Sequence, residues 1–475
     1  MVKKFRFTGR VLMIGYGSVG RCTLAMIAEH FDMPLSNIII IDGQDQKSLI
    51  APYVQRGVRY VVNPLYKHNL EQVLNGLAGA GDIMLNLSVD VSSVDLMDWC
   101  QKNRVLYLDT CIEPWDGYYD NPDIPVNKRS NYYLRYEAIQ RAKKWRKPAM
   151  SALLTHGANP GLISHFVKAG MLEIAAKKIK NFKDTPKSQQ EWAALGNNLG
   201  VKVIQVAEHD TQIANRPKRP GEFVNTWSID GFYSEGMQPA EMGWGTHEKK
   251  MPKDGHYHRV GARSAIYLGQ PGLITQVSSW TPISGPMKAY CITHGEAISL
   301  SEYLSLKQGK KVIYRPTVYY AYHPCNDAVL SMREVATRDN WTLQPNKRLL
   351  NEEIIEGSDE LGALMLGDHG GFWFGSVLDN ATARQVLHGK FSATSLQIAS
   401  PVMAGAMWLI KNPELGLLEP EHLDYQEIID ICRPYLGKII GVWTDWNPLK
   451  GHYRLFREKG LNLNDPWQFQ NFRIS

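Results

Sequence analysis

The residues of this chain best suited to chemistry are carboxylates set beside tryptophans. Glu208 and Asp210 lie in Val-Ala-Glu-His-Asp-Thr, Asp230 and Glu235 follow Trp227, and Glu241 precedes Trp244. Nearer the N-terminus, Asp90 follows Asn86-Leu-Ser-Val and Glu113 neighbours Trp115. A single acid of this kind is ordinarily a solvated surface group. Several of them among apolar and aromatic neighbours, without metal-ligand spacing, point instead to a pocket for a cation. There an indole face adds a cation–π contact worth about 2 kcal/mol when desolvated, although core packing competes as the reading of any one Trp. His294 in Ile-Thr-His-Gly-Glu and His323 in Tyr-His-Pro-Cys-Asn-Asp suit a substrate contact and a structural hydrogen bond equally well. His256 and His258 have no third ligand in view and read as a surface loop, so no metal site is expected.

A second constellation is more specific. Val11-Leu-Met-Ile-Gly15-Tyr-Gly17-Ser18-Val19-Gly20 is a Gly-x-Gly-x-x-Gly loop between a strand and a helix. Gly15 permits the tight turn, Gly17 lets the backbone approach a pyrophosphate, Gly20 allows close helix–strand packing, and the helix N-terminus offers N–H groups to phosphate. Asp42 ends the next strand roughly 20 residues further on, where a carboxylate accepts hydrogen bonds from a ribose diol. Gly43-Gln44-Asp45 follows without an Arg for a 2′-phosphate, so NAD is expected rather than NADP. Asn86 and Ser88, at the end of a later strand, read either as ribose or nicotinamide contacts or as simple turn residues.

These residues require two kinds of scaffold. Over residues 1–150, short apolar runs at 11–14, 38–41, 58–62, 82–87 and 105–109 alternate with helical patterns at 19–31, 70–77 and 93–102, the pattern of a parallel sheet covered on both faces. The expected fold class is α/β: an NAD-binding Rossmann domain, doubly wound, followed over 151–390 by a strand-rich α+β substrate domain. Strands are expected there at 201–207, 226–232, 263–268, 276–281, 289–293 and 312–322, with a long loop at 234–245. Residues 391–475 form a C-terminal segment in which the apolar helix at 392–411 packs back on the first domain. The 475 residues carry a net charge of +6 and 44% hydrophobic residues, too dilute a basic balance for nucleic acid. Six scattered cysteines without Cys-x-x-Cys disfavour a disulfide scaffold. The apolar run after Lys3-Lys4 is too short for a signal sequence and no stretch reads as a membrane span, so a cytoplasmic protein is expected.

The blocks Asn86-Leu-Ser-Val-Asp90, Ile112-Glu-Pro-Trp115, Gly157-Ala-Asn-Pro-Gly161, Ala207-Glu-His-Asp-Thr-Gln212, Asn225-Thr-Trp-Ser228, Ser234-Glu-Gly236, Gly243-Trp-Gly245, Tyr320-Ala-Tyr-His-Pro-Cys-Asn-Asp-Ala328 and Thr444-Asp-Trp446 span nearly the whole chain. Together they closely resemble the bacterial homospermidine synthases and, more distantly, the saccharopine and carboxynorspermidine dehydrogenases. The resemblance implies a homodimer that joins two putrescines, or takes spermidine as aminobutyl donor, with NAD as a recycled hydride carrier. It implies that Trp227 supports a cationic imine and that Glu208, Glu235, Glu113 and Asp90 contact amines, with Asn159 and His294 lining the pocket. Ser18, Val19, Ser88, Thr110, Ala158, Asn159, His323 and Pro324 would join the glycine loop around the cofactor. His156 stands where the family usually has a small residue, which bears on the width of the nicotinamide side. A saccharopine- or carboxynorspermidine-type oxidoreductase is the alternative, and its carboxylate-bearing substrate would call for Arg in the pocket.

Overall fold

The computed structural model describes residues 4–119, 121–451 and 460–474. Within them, strands Val11–Ile14, Ile38–Asp42, Ile83–Asn86 and Leu106–Asp109 are buried almost end to end. Helices such as Ser18–His30 and Ser93–Asn103 cover the sheet, which is why these strands are continuously apolar rather than alternating. Val11–Ile14 pairs in parallel with Ile38–Asp42 on one side and Ile83–Asn86 on the other. The chain therefore leaves the central strand in both directions, and a crevice opens between Gly15 and Ser88 at the carboxyl ends, where doubly wound sheets bind ligands.

The second sheet holds eleven strands among the described residues. Its centre is Val201–Asp210, parallel to Thr317–His323 and antiparallel to Ser358–Gly367. That register sets Asp210 opposite Asp359 and Glu208 beside Tyr322 and Leu361. Alternate residues share a face, so Glu208, Asp210, Tyr320 and Asp359 meet on one side of the sheet.

Three expectations about this region are corrected. The strand expected at 226–232 is instead strand Glu222–Asn225 followed by helix Ile229–Met237. Ser228 is the cap: its hydroxyl oxygen accepts the Gly231 N–H at 3.1 Å, a cue that alternating hydrophobicity hides. The loop expected at 234–245 is the end of that helix and the buried strand Pro239–Gly243. His258, expected on a surface loop, is buried with its Nε2 2.8 Å from the Glu241 carboxyl group, whereas His256 is exposed.

The C-terminal segment divides between the two sheets. Helix Ala393–Lys411, capped by Ser392, packs against Ser18–His30 and Leu106–Asp109, and Leu417–Leu418 extends the parallel sheet. Lys438–Thr444 and Arg473–Ile474 join the second sheet instead. Among the described residues Ala393–Lys411 alone has the length and hydropathy of a membrane span, contrary to the reading that no stretch did; 89% of its apolar window is buried inside the protein, as befits a core helix.

Candidate active site

A groove of about 800 Å³ follows the glycine loop. Gly15 has φ +94°, where a Cβ would meet the Leu87 carbonyl at 2.7 Å, while a Cβ on Gly17 would meet nothing within 4 Å. The groove is therefore open where a pyrophosphate would lie. Helix Ser18–His30 has no side-chain cap, which leaves its first N–H groups available to an anion. Asp42 lines the groove, held by N–H donors from Tyr16 at 2.6 Å and Gln44 at 2.7 Å. These features fit a dinucleotide with its ribose at Asp42.

At its inner end the groove shares Val19, Leu87, Ser88, Val89 and Ser228 with a smaller cavity of about 100 Å³. Separate elements build this chamber. Glu113 comes from the turn after Leu106–Asp109, and its N–H donates to Ser93 Oγ at 3.0 Å. Ser228, Gly231 and Glu235 share one face of helix Ile229–Met237, three and four residues apart. Glu208 and Asp359 come from neighbouring strands, and Thr394, Gln397 and Ile398 from the C-terminal core helix. Trp227 lines the wall, its Nε1 donating to the Tyr322 hydroxyl at 3.1 Å and its ring packed on Phe232.

Four carboxyl groups, Glu113, Glu208, Glu235 and Asp359, thus border one chamber whose described lining contains no Lys or Arg. Burial raises the pKa of each. Glu208 is pushed to about 7 by desolvation, against the pull of the Tyr320 hydroxyl, which donates at 2.6 Å, and of the Asn159 amide. Desolvation and then the charge of Asp90 push Glu113 to about 8. Desolvation and then Glu113 and Glu208 push Glu235 well up. Asp359 is likewise raised, by burial and by Glu208 and Asp210; one of its oxygens accepts from Thr394 at 2.7 Å while the other is buried without a hydrogen-bond partner among the described residues. Crowded, desolvated carboxyl groups of this kind suit a cationic occupant, which would restore the charge that burial suppresses.

Comparison with known proteins gives one answer. Residues 11–153 match the saccharopine dehydrogenase NADP binding domain and residues 157–442 the saccharopine dehydrogenase C-terminal domain. A homospermidine synthase of Blastochloris viridis is 43% identical over 99% of this chain and 98% of its own length. The chain belongs to the homospermidine synthase family. The homospermidine synthase of Mesorhizobium japonicum is 42% identical over 98% of this chain and 96% of its own. The crystal structure of the Legionella pneumophila homospermidine synthase in complex with NAD superposes with a TM-score of 0.92 at 42% identity, covering all of both chains.

Of the residues expected in the site of this family member, the structure gathers Trp227, Glu208, Glu235, Glu113 and Asn159 around the chamber, with Val19, Ser88, Thr110 and Ala158. Gly15, Gly17, Ser18 and Asp42 line the groove, while Gly20 packs beneath Gly15. The others lie elsewhere. Asp90, with φ +61°, lines the groove rather than the chamber and acts on Glu113 through charge. Asn86 lies behind the wall, 2% exposed, accepting from Ser88 Oγ at 2.6 Å and donating to Tyr107 at 3.4 Å, so it reaches the groove only through Ser88. His294 lines neither cavity; it is buried against Tyr320, with ring centroids 4.7 Å apart, and desolvation lowers its pKa to about 4. His323 and Pro324 also lie outside both linings, the His323 ring resting 4.4 Å from His209. His156 points away under the core helix, its Nδ1 against the Pro401 carbonyl at 2.9 Å, so it does not narrow the site. Asp359, Tyr320, Thr394 and Gln397 were missed because only sheet register and helix docking bring them in.

Proposed function

We propose that this chain catalyses homospermidine formation: two putrescine molecules combine, ammonia leaves, and spermidine also serves as aminobutyl donor. The observation that carries the reading is the chamber bordered by four carboxyl groups and an indole, without a basic side chain in its described lining, opening on the dinucleotide groove. A saccharopine- or carboxynorspermidine-type oxidoreductase is disfavoured by the same observation, because a substrate carboxylate would meet four acids and no cation in the described lining. The lack of a lysine in the described lining also favours direct exchange between amines over attachment to an enzyme lysine.

Gly15, Gly17, Ser18, Val19 and Asp42 would hold NAD, with Ser88 and Thr110 near its reactive end. When bound, NAD accepts hydride from a substrate carbon and returns it. The chain's own residues supply the rest. Glu208, with a pKa of about 7, is poised to take the proton an alkylammonium must lose before its carbon can be oxidised. Asn159 and Tyr320 orient that carboxyl group. Glu113, Glu235 and Asp359 hold ammonium groups, and the Trp227 face supports the iminium that the second amine attacks. Positive charge persists from substrate to product, so preorganised acids stabilise the path throughout.

Incubation with putrescine and a trace of NAD should consume many equivalents of putrescine with no lasting rise in NADH absorbance. Deuterium placed on the oxidised carbon should reappear in the product. NADH accumulating one for one with product would refute the recycling and favour a net dehydrogenase.

A further inference from the structure

We propose that two buried carboxyl groups outside the chamber, those of Asp109 and Glu296, are positioning residues that clamp both ends of the loop from Thr155 to Ser164 and so set the contact between Asn159 and Glu208. The inference rests on the reading of Glu208 given above and adds what holds its partner in place.

Asn159 reaches the chamber from a segment without regular structure, between strand Ala152–Leu153 and helix Leu162–Lys178. At the first end Thr155 has φ +54°, uncommon for a β-branched residue and in need of support. Its N–H donates to the Asp109 carboxylate at 2.6 Å, and the next N–H, of His156, donates to the Asp109 carbonyl at 2.7 Å. The other Asp109 carboxylate oxygen accepts from the Tyr107 hydroxyl at 2.9 Å. At the second end Gly161 has φ +132°, and a Cβ there would crowd the Gly157 backbone at 2.5 Å. The helix that follows has no side-chain cap of its own. Glu296 supplies one from another element, accepting the Ser164 N–H at 2.5 Å and the Ser164 hydroxyl at 2.6 Å. Between the clamps the loop is tied to itself, with Gly157 N–H donating to the Pro160 carbonyl at 2.7 Å and Leu162 N–H to the Gly157 carbonyl at 2.9 Å.

Both carboxyl groups are fully buried and line neither cavity. Such burial is costly, and desolvation drives Asp109 to about 7 and Glu296 to about 8. An apolar side chain would fill either space at less cost but would leave the loop amides unsatisfied and the loop free to shift. A displacement of about 1 Å at a catalytic contact costs on the order of a hundredfold in rate.

Double-mutant cycles on the full-length protein with saturating NAD test the clamp. Steady-state kcat and KM for putrescine, and Tm, are measured for N159A, E296A and D109A and for each clamp variant combined with N159A. E296A and D109A should each lower kcat by about tenfold to a hundredfold with a smaller change in KM, and neither should lower it further once Asn159 is absent. E296Q and D109N, which keep an oxygen toward the Ser164 and Thr155 N–H groups, should retain most of the turnover. Equal losses with and without Asn159 would overturn the clamp alone. Full turnover in N159A would overturn the underlying reading of the Asn159–Glu208 pair as well. Should either alanine variant fail to fold, E296L or D109L, which fills the space without an acceptor for the loop N–H, completes the same cycle.

Discussion

The groove and the chamber meet at Ser88 and Ser228 yet treat charge in opposite ways. In the groove, the carboxylate of Asp42 is already partnered by backbone N–H groups from Tyr16 and Gln44. In the chamber, four carboxyl groups face a space whose described lining holds no cation, and burial forces them toward neutrality. The groove is a preformed cradle for a ligand of fixed shape. The chamber stores unfavourable electrostatics that a polyammonium ligand relieves, so its affinity is tied to pH and its chemistry to cationic intermediates.

The strongest way to break this contrast is at Trp227. Replacing it with Ala removes the π face and should cost about 2 kcal/mol of iminium stabilisation, a roughly thirtyfold fall in kcat, with Phe falling between. NAD affinity should hardly move. Because the indole also packs on Phe232 and donates to Tyr322, Tm must be read alongside turnover. Full turnover in two well-folded variants would remove the cation–π role, and losses that merely follow Tm would make the residue structural.

The complementary change acts on the groove. Asp42→Ala should weaken NAD binding by about tenfold, the loss of a charge-assisted hydrogen bond of about 1.5 kcal/mol, and leave kcat at saturating NAD near its original value. Titration of NAD and NADP against both proteins checks it. Unchanged NAD affinity would show that the ribose lies elsewhere.

The smallest expected effect sharpens the electrostatic side. A carboxyl group whose folded pKa exceeds its unfolded value binds its proton more tightly when folded. The unfolded state therefore releases that proton first as pH rises. With Glu208 at about 7 and Glu113 at about 8, the ligand-free protein should lose a few degrees of Tm between pH about 5 and about 8. Putrescine, by pairing the ionised carboxylates, should raise Tm most at the upper end of that range. A putrescine shift independent of pH would mean that the diamine binds away from these acids.

Much of the groove was legible because it is local. Gly15, Gly17, Gly20 and Asp42 follow one strand–turn–helix unit and the next strand, and the chain itself fixes their spacing. Glu208, Glu113 and Trp227 were legible as residue types whose charge and π surface suit a cation, and through their likeness to a known family. Legibility ended where contacts cross elements. The strand expected at 226–232 failed because Ser228 starts a helix, and that helix is what turns Glu235 toward Glu208. His294, His323 and Asn86 have side chains that suit a site, but packing sets them behind its walls.

By itself, then, the sequence determined the parallel sheet, the dinucleotide loop and the acid-and-tryptophan character of the second site, because hydrophobic period, glycine turns and side-chain chemistry act within a few residues of one another. The tertiary structure alone decided which acids share a chamber. Asp359 meets Glu208 through the pairing of Ser358–Gly367 with Val201–Asp210, and Thr394 and Gln397 enter because a distant helix docks between the two sheets. Strand register and helix docking are long-range choices made by the packing of the whole core, and burial against several elements at once turns ordinary carboxylates into groups with raised pKa values.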